Sequence, residues 1–187
     1  MHKFLVGESG IVVHNTCLAA ARKYLDDLGI TKKLGTPGRK AINDGPDASK
    51  IKSKFGKDPN KKMEICYNDA GFPIYNEFLA TINGLLAEVV VSNLAGDHSA
   101  SGDFKKVNEA LCAKLGIPYQ AFQGGGASFP GRDDIKWSWH HHEDGKTMQL
   151  IPTDVNGRTS HVGGKSIIEK GGKGVFPGPG GVPGSKC

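Results

Sequence analysis

The chain has 187 residues, of which 37% are hydrophobic, and it carries a formal net charge of +5. This length suits one domain of ordinary size with additional segments. No apolar run is long enough to cross a bilayer, and the four cysteines form no C-x-x-C pair, so neither a membrane span nor a thiolate zinc site is expected. The positive charge favours an anionic partner such as nucleic acid, although so small a charge is compatible with many other functions.

The N-terminal part of the chain predicts a short hairpin, one helix and a linker. Residues 1–15, MHKFLVGESGIVVHN, predict two short strands about a turn, and residues 16–29 predict a helix that ends at Gly29. From residue 30 to 62 the chain is rich in Lys, Gly, Pro and Asp and has little periodicity. We interpret residues 16–70 as a helix followed by a lysine-rich linker, while a nucleic-acid groove is the alternative for the lysines.

Apolar content rises from Gly71, and residues 71–170 are predicted to form one α+β domain. AEVVVSNL, residues 87–94, predicts a buried strand because it contains a β-branched run. The segment that begins at residue 100 predicts a helix, with Ser101 or Asp103 as its cap and Gly116 at its end. The Gly/Pro-rich segment 171–187 is predicted to be a flexible tail.

The stretch WSWHHHEDGKTMQLIPTDVNGRTSHVGG, residues 137–164, predicts a strand, a tight turn at Asp-Gly, a second strand and a short helix. Trp137 and Trp139 are interpreted as core residues. Adjacent histidines on a strand point to opposite faces. One imidazole can therefore face the helix and share a metal ion with a residue there, while its neighbour stays off the metal as a neutral general base. Exposed histidines without a role, or a structural zinc site, are the alternatives.

The segment WHHHEDGKTMQLIPTDVNGRTSHVGG resembles the WHH family of the HNH/endonuclease VII nuclease superfamily, whose core is a ββα-metal (His-Me finger) unit. Those proteins carry a Trp-His-His core, a second strand similar to TMQLVP, and a helix that ends in H-x-G-G. The resemblance extends upstream through GFPIY, VVVSNLAGD and DFKKVNEALCAKLG and covers about residues 71–165. It implies an endonuclease that uses a divalent metal ion (Mg, Mn, Ni or Zn) to hydrolyse phosphodiester bonds.

The resemblance also implies roles for individual residues. Trp139 is the motif tryptophan. His140, the first histidine of the pair, corresponds to the catalytic metal ligand, and His141 corresponds to the general base. Because His142 follows, the register is open by one residue.

His161 matches the terminal metal-binding histidine of the motif. Asn156 lies where relatives often have another histidine, and asparagine is a metal ligand in other branches of the superfamily. The five-residue gap between Asn156 and His161 requires the helix to begin between them or to bend. Arg158 and Lys165 are candidate phosphate contacts, with a solvated role as the alternative.

HKFLVGESGIVVHNTC, at the start of the chain, resembles the last strands of a Hint, intein-like autoprocessing domain. In that reading His14 and Asn15 are the remnant of a cleavage site; an ordinary hairpin is the alternative. A Hint stub, a linker and a nuclease together resemble the C-terminal part of a bacterial polymorphic toxin. This layout implies a secreted multidomain parent, action in the cytoplasm of a target cell, and a cognate immunity protein that we expect to be acidic.

The sequence therefore predicts a metal-dependent endonuclease that acts on DNA, with RNA as an alternative substrate. A non-catalytic, metal-stabilised module that binds nucleic acid is the rival from another functional class. Because the motif-bearing region begins near Gly71, deletion of residues 1–62 is expected to leave nuclease activity largely intact.

Overall fold

The computed structural model describes residues 16–31, 34–99, 101–122 and 134–172. The predicted hairpin with His14 and Asn15, and all but the first two residues of the predicted tail, lie outside these ranges. Within them the helices are α1 (Thr16–Asp27), α2 (Ala48–Lys54), a 3₁₀ turn (Asn76–Phe78), α3 (Asp103–Leu115), α4 (Thr153–Arg158) and α5 (Gly164–Glu169). None of the described helices is long and apolar enough to cross a membrane.

The strands of the described residues form three antiparallel sheets. They are β1 (Gly38–Ala41), β2 (Glu64–Tyr67), β3 (Pro73–Ile74), β4 (Thr81–Ile82), β5 (Leu85–Leu86), β6 (Glu88–Val90), β7 (Trp137–His141) and β8 (Thr147–Pro152). The sheet orders are β1-β2-β3, β4-β5 and β6-β8-β7. This mixture of helices and small antiparallel sheets is the α+β class that the sequence predicted.

Residues 38–54 differ from the predicted linker, because they form β1 and α2 and join the main core. Ile51 of α2 has no exposed surface, and Ile42 and Ala48 lie in the same cluster as Trp137. Composition alone did not predict this, because a few apolar residues are enough to anchor a short helix in a lysine-rich segment. Lys50 and Lys54 of α2 are exposed, and the buried Lys52 is paired with Asp44. The predicted boundary at residue 71 also lies between two paired strands, β2 and β3.

The buried strand predicted at residues 87–94 is shorter than expected, and it is an edge strand of its sheet. β6 pairs with β8, Val89 opposite Met148, while Val90 is 55% exposed. A β-branched run predicts extended backbone, but it does not say how many neighbours the strand will have. β8 is the central strand of this sheet, and all six of its residues are buried.

Helix α1, predicted from its apolar periodicity, packs in a second, smaller cluster. Ala21 and Leu25 lie there with Phe72, Val162 and Ile167. Val162 and Ile167 flank the start of α5, so α1 supports the segment that follows the last histidine of the motif. The N-terminal helix is thus part of the packing around the candidate site.

Candidate active site

The β7–β8 hairpin and α4 form the predicted order of strand, turn, strand and helix. Trp137 and Trp139 on β7 are 1% and 2% exposed, which confirms their interpretation as core residues. Because side chains alternate along a strand, His141 shares a face with the two tryptophans and His140 lies on the other face. Trp139 donates a hydrogen bond from Nε1 to Asn108 on α3 (2.9 Å), so the tryptophan face is the α3 face.

On the opposite face, His140 meets residues from three other segments. Its ring lies 5.0 Å from the ring of His161 and 4.6 Å from that of Tyr75, centroid to centroid. Its imidazole is also hydrogen-bonded to the side chain of Asn156 on α4. The structure therefore brings together the three residues predicted as metal ligands, and it adds Tyr75, which no motif in the sequence indicated.

Helix α4 ends between Asn156 and His161, which explains how two residues five positions apart can face the same site. The helix ends at Arg158, and Thr159 has extended backbone angles, φ −86° and ψ 112°. Asn156 is therefore on the helix and His161 is on the segment after it. The sequence analysis required a helix start or a bend between these residues, and the structure shows a helix end.

The orientation of His161 is fixed by backbone. Its Nδ1 donates a hydrogen bond to the carbonyl oxygen of Thr159 at 2.7 Å, and the hydroxyl of Tyr75 lies 3.3 Å from the same nitrogen. Since a carbonyl only accepts, Nδ1 carries the hydrogen and the lone pair of a neutral ring lies on Nε2. A histidine that binds metal commonly has its second nitrogen held in this way.

These residues fit a divalent metal ion. Burial, followed by the charges of His161 and the neighbouring histidines, lowers the pKa of His140 well below its usual range, which favours the neutral form that binds metal. Two imidazoles and one amide oxygen are fewer than the four ligands of a closed structural zinc site. Within the described ranges no group of three or more His, Cys, Asp or Glu residues is placed to hold a metal ion, so this site would have to rely on two imidazoles and an amide.

The two glycines of the H-x-G-G motif allow α5 to approach the end of β7. A Cβ on Gly164 would collide with the carbonyl group of His142 and lie 3.0 Å from the carbonyl oxygen of His141. A Cβ on Gly163 would lie 3.4 Å from Nε2 of His161. Close backbone contact, which only glycine permits at Gly164, therefore joins the two halves of the motif.

His141 contacts α3 on the tryptophan face. Its Nε2 lies 3.0 Å from Oδ2 of Asp103, and both side chains are buried. The ring of His98 stacks on His141 at 5.1 Å and on Phe104 at 5.0 Å. The sequence analysis missed His98 because it lies in a loop without a motif.

Asp103 was predicted as a possible helix cap, and this role is corrected. It is the first residue of α3, where the structure shows no side-chain cap hydrogen bond. Its carboxylate instead accepts hydrogen bonds from the amides of Ala95 (2.9 Å) and Gly96 (2.8 Å). An aspartate at a helix start commonly accepts a hydrogen bond from an amide of the helix. The oxygens of Asp103 are instead occupied by the amides of the loop before the helix and by His141.

Burial lowers the pKa of His141, Asp103 opposes this shift, and the charge of Lys165 on α5 adds to the lowering. Lys165 also lowers the pKa of His98, after burial. This candidate phosphate contact therefore lies near both rings. Arg158, the other candidate, lies 4.0 Å from Asp154, and both side chains lie close to Gly45.

His142 has a different environment from His141. Its Nε2 lies 3.5 Å from Glu143, and its Nδ1 lies 3.5 Å from the carboxylate of Asp144 and accepts a hydrogen bond from the Asp144 amide. Although burial opposes the shift, these carboxylates raise the pKa of His142. The third histidine is thus held within the turn between β7 and β8, which spans five residues (142–146) and not the two that Asp-Gly predicted.

A small α+β domain in which a hairpin and the helix after it converge on two imidazoles defines the ββα class of site. Residues 132–171 match a family model described as WHH, a nuclease of the HNH/ENDO VII superfamily with conserved WHH. No curated protein matches the chain. This matched segment assigns a nuclease activity, that of a hydrolase that acts on phosphodiester bonds, and nucleases of this superfamily generally depend on a divalent metal.

Proposed function

We propose that this nuclease is a metal-dependent endonuclease that hydrolyses DNA, with His141 as the general base and His140, His161 and Asn156 as the metal ligands. The observation that carries the proposal is the separation of the two adjacent histidines. His140 lies among the candidate ligands, whereas His141 lies against Asp103 on the other face of β7. One strand end therefore supplies a ligand and a base without competition for the same ion.

The metal ligands have distinct tasks in this proposal. Thr159 holds His161 with Nε2 as the coordinating atom, and Asn156 offers its amide oxygen. A divalent ion held by these groups would supply neutralising charge at the scissile phosphate and at the leaving oxygen. Tyr75 packs against both imidazoles and keeps their rings in place.

The base and the cation near it act on the other side. His141 accepts the proton of the attacking water. The charge of Lys165 acts on His141, and its ammonium group, which lies 3.4 Å from Glu169, is proposed to bind a substrate phosphate. Arg158 lies farther along α4 with Asp154 and is proposed only as an outer contact with the nucleic-acid backbone.

The biological setting is part of the same proposal. The similarity of residues 1–15 to the end of a Hint domain supports release of the nuclease from a secreted bacterial polymorphic toxin. The nuclease would then act in the cytoplasm of the target cell, and the producing cell would be protected by an acidic immunity protein. DNA is favoured as the substrate because the superfamily consists mostly of DNases.

The test is incubation of the purified chain with supercoiled plasmid and with total RNA, each with a divalent metal and with a chelator. We expect nicking and linearisation of the plasmid that depend on metal. Degradation of RNA while the plasmid stays intact would support the proposed metal-dependent hydrolysis, with RNA and not DNA as the substrate. Absence of metal-dependent cleavage of both nucleic acids by the folded chain would contradict the proposal.

A further inference from the structure

We propose that Asp103 is the positioning residue for His141. Its carboxylate holds the imidazole with Nε2–H toward α3, so that Nδ1 is the atom that accepts the proton of water. The inference rests on the proposed function, because it assumes that His141 is the base. It adds a residue from α3, outside the matched segment 132–171.

The hydrogen bond determines the tautomer. Oδ2 of Asp103 lies 3.0 Å from Nε2 of His141, and the two side chains are 0% and 2% exposed. An ionised carboxylate can only accept, so Nε2 must carry the hydrogen. A neutral imidazole has one N–H, and the lone pair is therefore on Nδ1.

The carboxylate is itself fixed in place. It accepts hydrogen bonds from the amides of Ala95 and Gly96, and Lys106 lies 3.4 Å from its other oxygen. Burial alone would raise the pKa of Asp103, but the hydrogen bonds from the Ala95 amide, from His141 and from the Gly96 amide lower it. The two amides already hold the carboxylate in place. Its contact with His141 therefore restricts the orientation of the imidazole ring.

A second contact restrains the same ring. His98 stacks on the face of His141 at 5.1 Å with an interplanar angle of 23°. Rotation of the imidazole about its Cβ–Cγ bond would break this stacking as well as the hydrogen bond to Asp103. A base held in one orientation avoids the entropic cost of finding the productive geometry at each turnover.

The carboxylate also stabilises the charge that forms during the reaction. The water proton moves to Nδ1 of His141, the hydroxide oxygen forms the new bond to phosphorus, and the bond to the leaving oxygen breaks. The leaving oxygen takes a proton from solvent, and Nδ1 returns its proton to solvent. While His141 is doubly protonated, Asp103 remains ionised beside it, as the aspartate of a Ser-His-Asp triad does.

The test combines a variant with a direct measurement of the tautomer. Asp103→Asn keeps the size of the side chain and an oxygen for the loop amides, but it removes the negative charge. We expect kcat on DNA to fall about 100-fold, with KM changed less than about threefold. Asp97→Asn is the matched control, since Asp97 binds Ser99 in the same loop. It should leave kcat within about twofold of the wild-type value.

The nitrogen chemical shifts of His141 in the wild-type chain, measured by NMR at neutral pH, should show a protonated Nε2 and an unprotonated Nδ1. If Asp103→Asn fails to fold, this measurement still tests whether Asp103 sets the tautomer of His141. An Nδ1–H tautomer, or a folded Asp103→Asn variant with wild-type kcat, would overturn the inference. If the wild-type chain cleaves no nucleic acid, the proposed function fails, and the tautomer still tests whether Asp103 positions the ring.

Discussion

His140 and His141 are neighbours in sequence but belong to different surroundings. The pleat of β7 directs His140 toward Asn156 and His161, and it directs His141 toward Asp103. A single strand residue cannot serve as a ligand and as a free base at the same time. In the proposed function, two consecutive residues at a strand end divide these tasks, which would account for the adjacent imidazoles.

The ligand assignment predicts the effect of removing single side chains on metal binding. His161→Ala should weaken binding of a divalent metal about 100-fold, because an imidazole ligand already oriented by Thr159 is lost. Asn156→Ala should weaken it less, since an amide oxygen is a weaker ligand than an imidazole for most transition metals. Isothermal titration calorimetry measures both affinities.

His142→Ala is the control for this titration, because His142 contacts Glu143 and Asp144 in the turn. Its metal affinity should match that of the wild-type chain. Equal affinities for the wild-type chain and His161→Ala would remove His161 from the ligand set.

Gly164 gives a second prediction for a single residue. Gly164→Ala should destabilise the domain by about 1–3 kcal/mol, because its Cβ would collide with the carbonyl group of His142. Gly157→Ala is the matched control: Gly157 lies within α4 and a Cβ there would meet nothing within 4 Å. Chemical denaturation should show that Gly157→Ala is as stable as the wild-type chain or slightly more stable. Equal stability of the two variants would contradict the close approach of α5 to β7.

Among the secondary structure elements, those near the motif were predictable and those before residue 71 mostly were not. The alternating aromatics of β7, the end of β8 at Pro152 and the periodicity of α1 and α3 carried enough local signal. β1 and α2 carried little, because their short apolar pattern lies among lysines. The contact of Asp103 with His141 joins residues 38 positions apart, and no local pattern encodes it.

The position of α2 predicts that the lysine-rich segment is required for folding. Ile51→Ala should lower the free energy of unfolding by about 2–5 kcal/mol, since Ile51 is 0% exposed in the main core. Ser53→Ala on the exposed side of α2 is the control and should change stability by less than about 0.5 kcal/mol. Urea denaturation of the two variants provides the comparison.

For the same reason, deletion of residues 1–62 should unfold the nuclease, contrary to the expectation from sequence. The deletion removes β1, whose four residues pair with β2, and it exposes Ile65 and Met63. A folded and active chain that begins at residue 63 would restore the linker interpretation, as would an Ile51→Ala variant of wild-type stability.

For the whole molecule, the net charge of +5 bears on the proposed immunity partner. An acidic protein that covers a basic nuclease should associate quickly, because opposite charges steer the encounter, and salt should slow the association. We expect the product of the neighbouring gene to be acidic, to bind residues 34–172, and to rescue cells that express the active chain. Surface plasmon resonance at low and high salt measures the on-rate. An on-rate that does not depend on salt, or binding to the first 15 residues alone, would contradict this expectation.

The division of labour between adjacent histidines is tested most directly by the rate of DNA cleavage at saturating divalent metal. The wild-type chain is compared with His141→Ala and His142→Ala, and each variant is checked for folding and metal binding. We predict that His141→Ala loses about 100-fold or more in rate while it still binds metal, and that His142→Ala remains active. Wild-type cleavage by His141→Ala, or an inactive His142→Ala beside an active His141→Ala, would contradict the account.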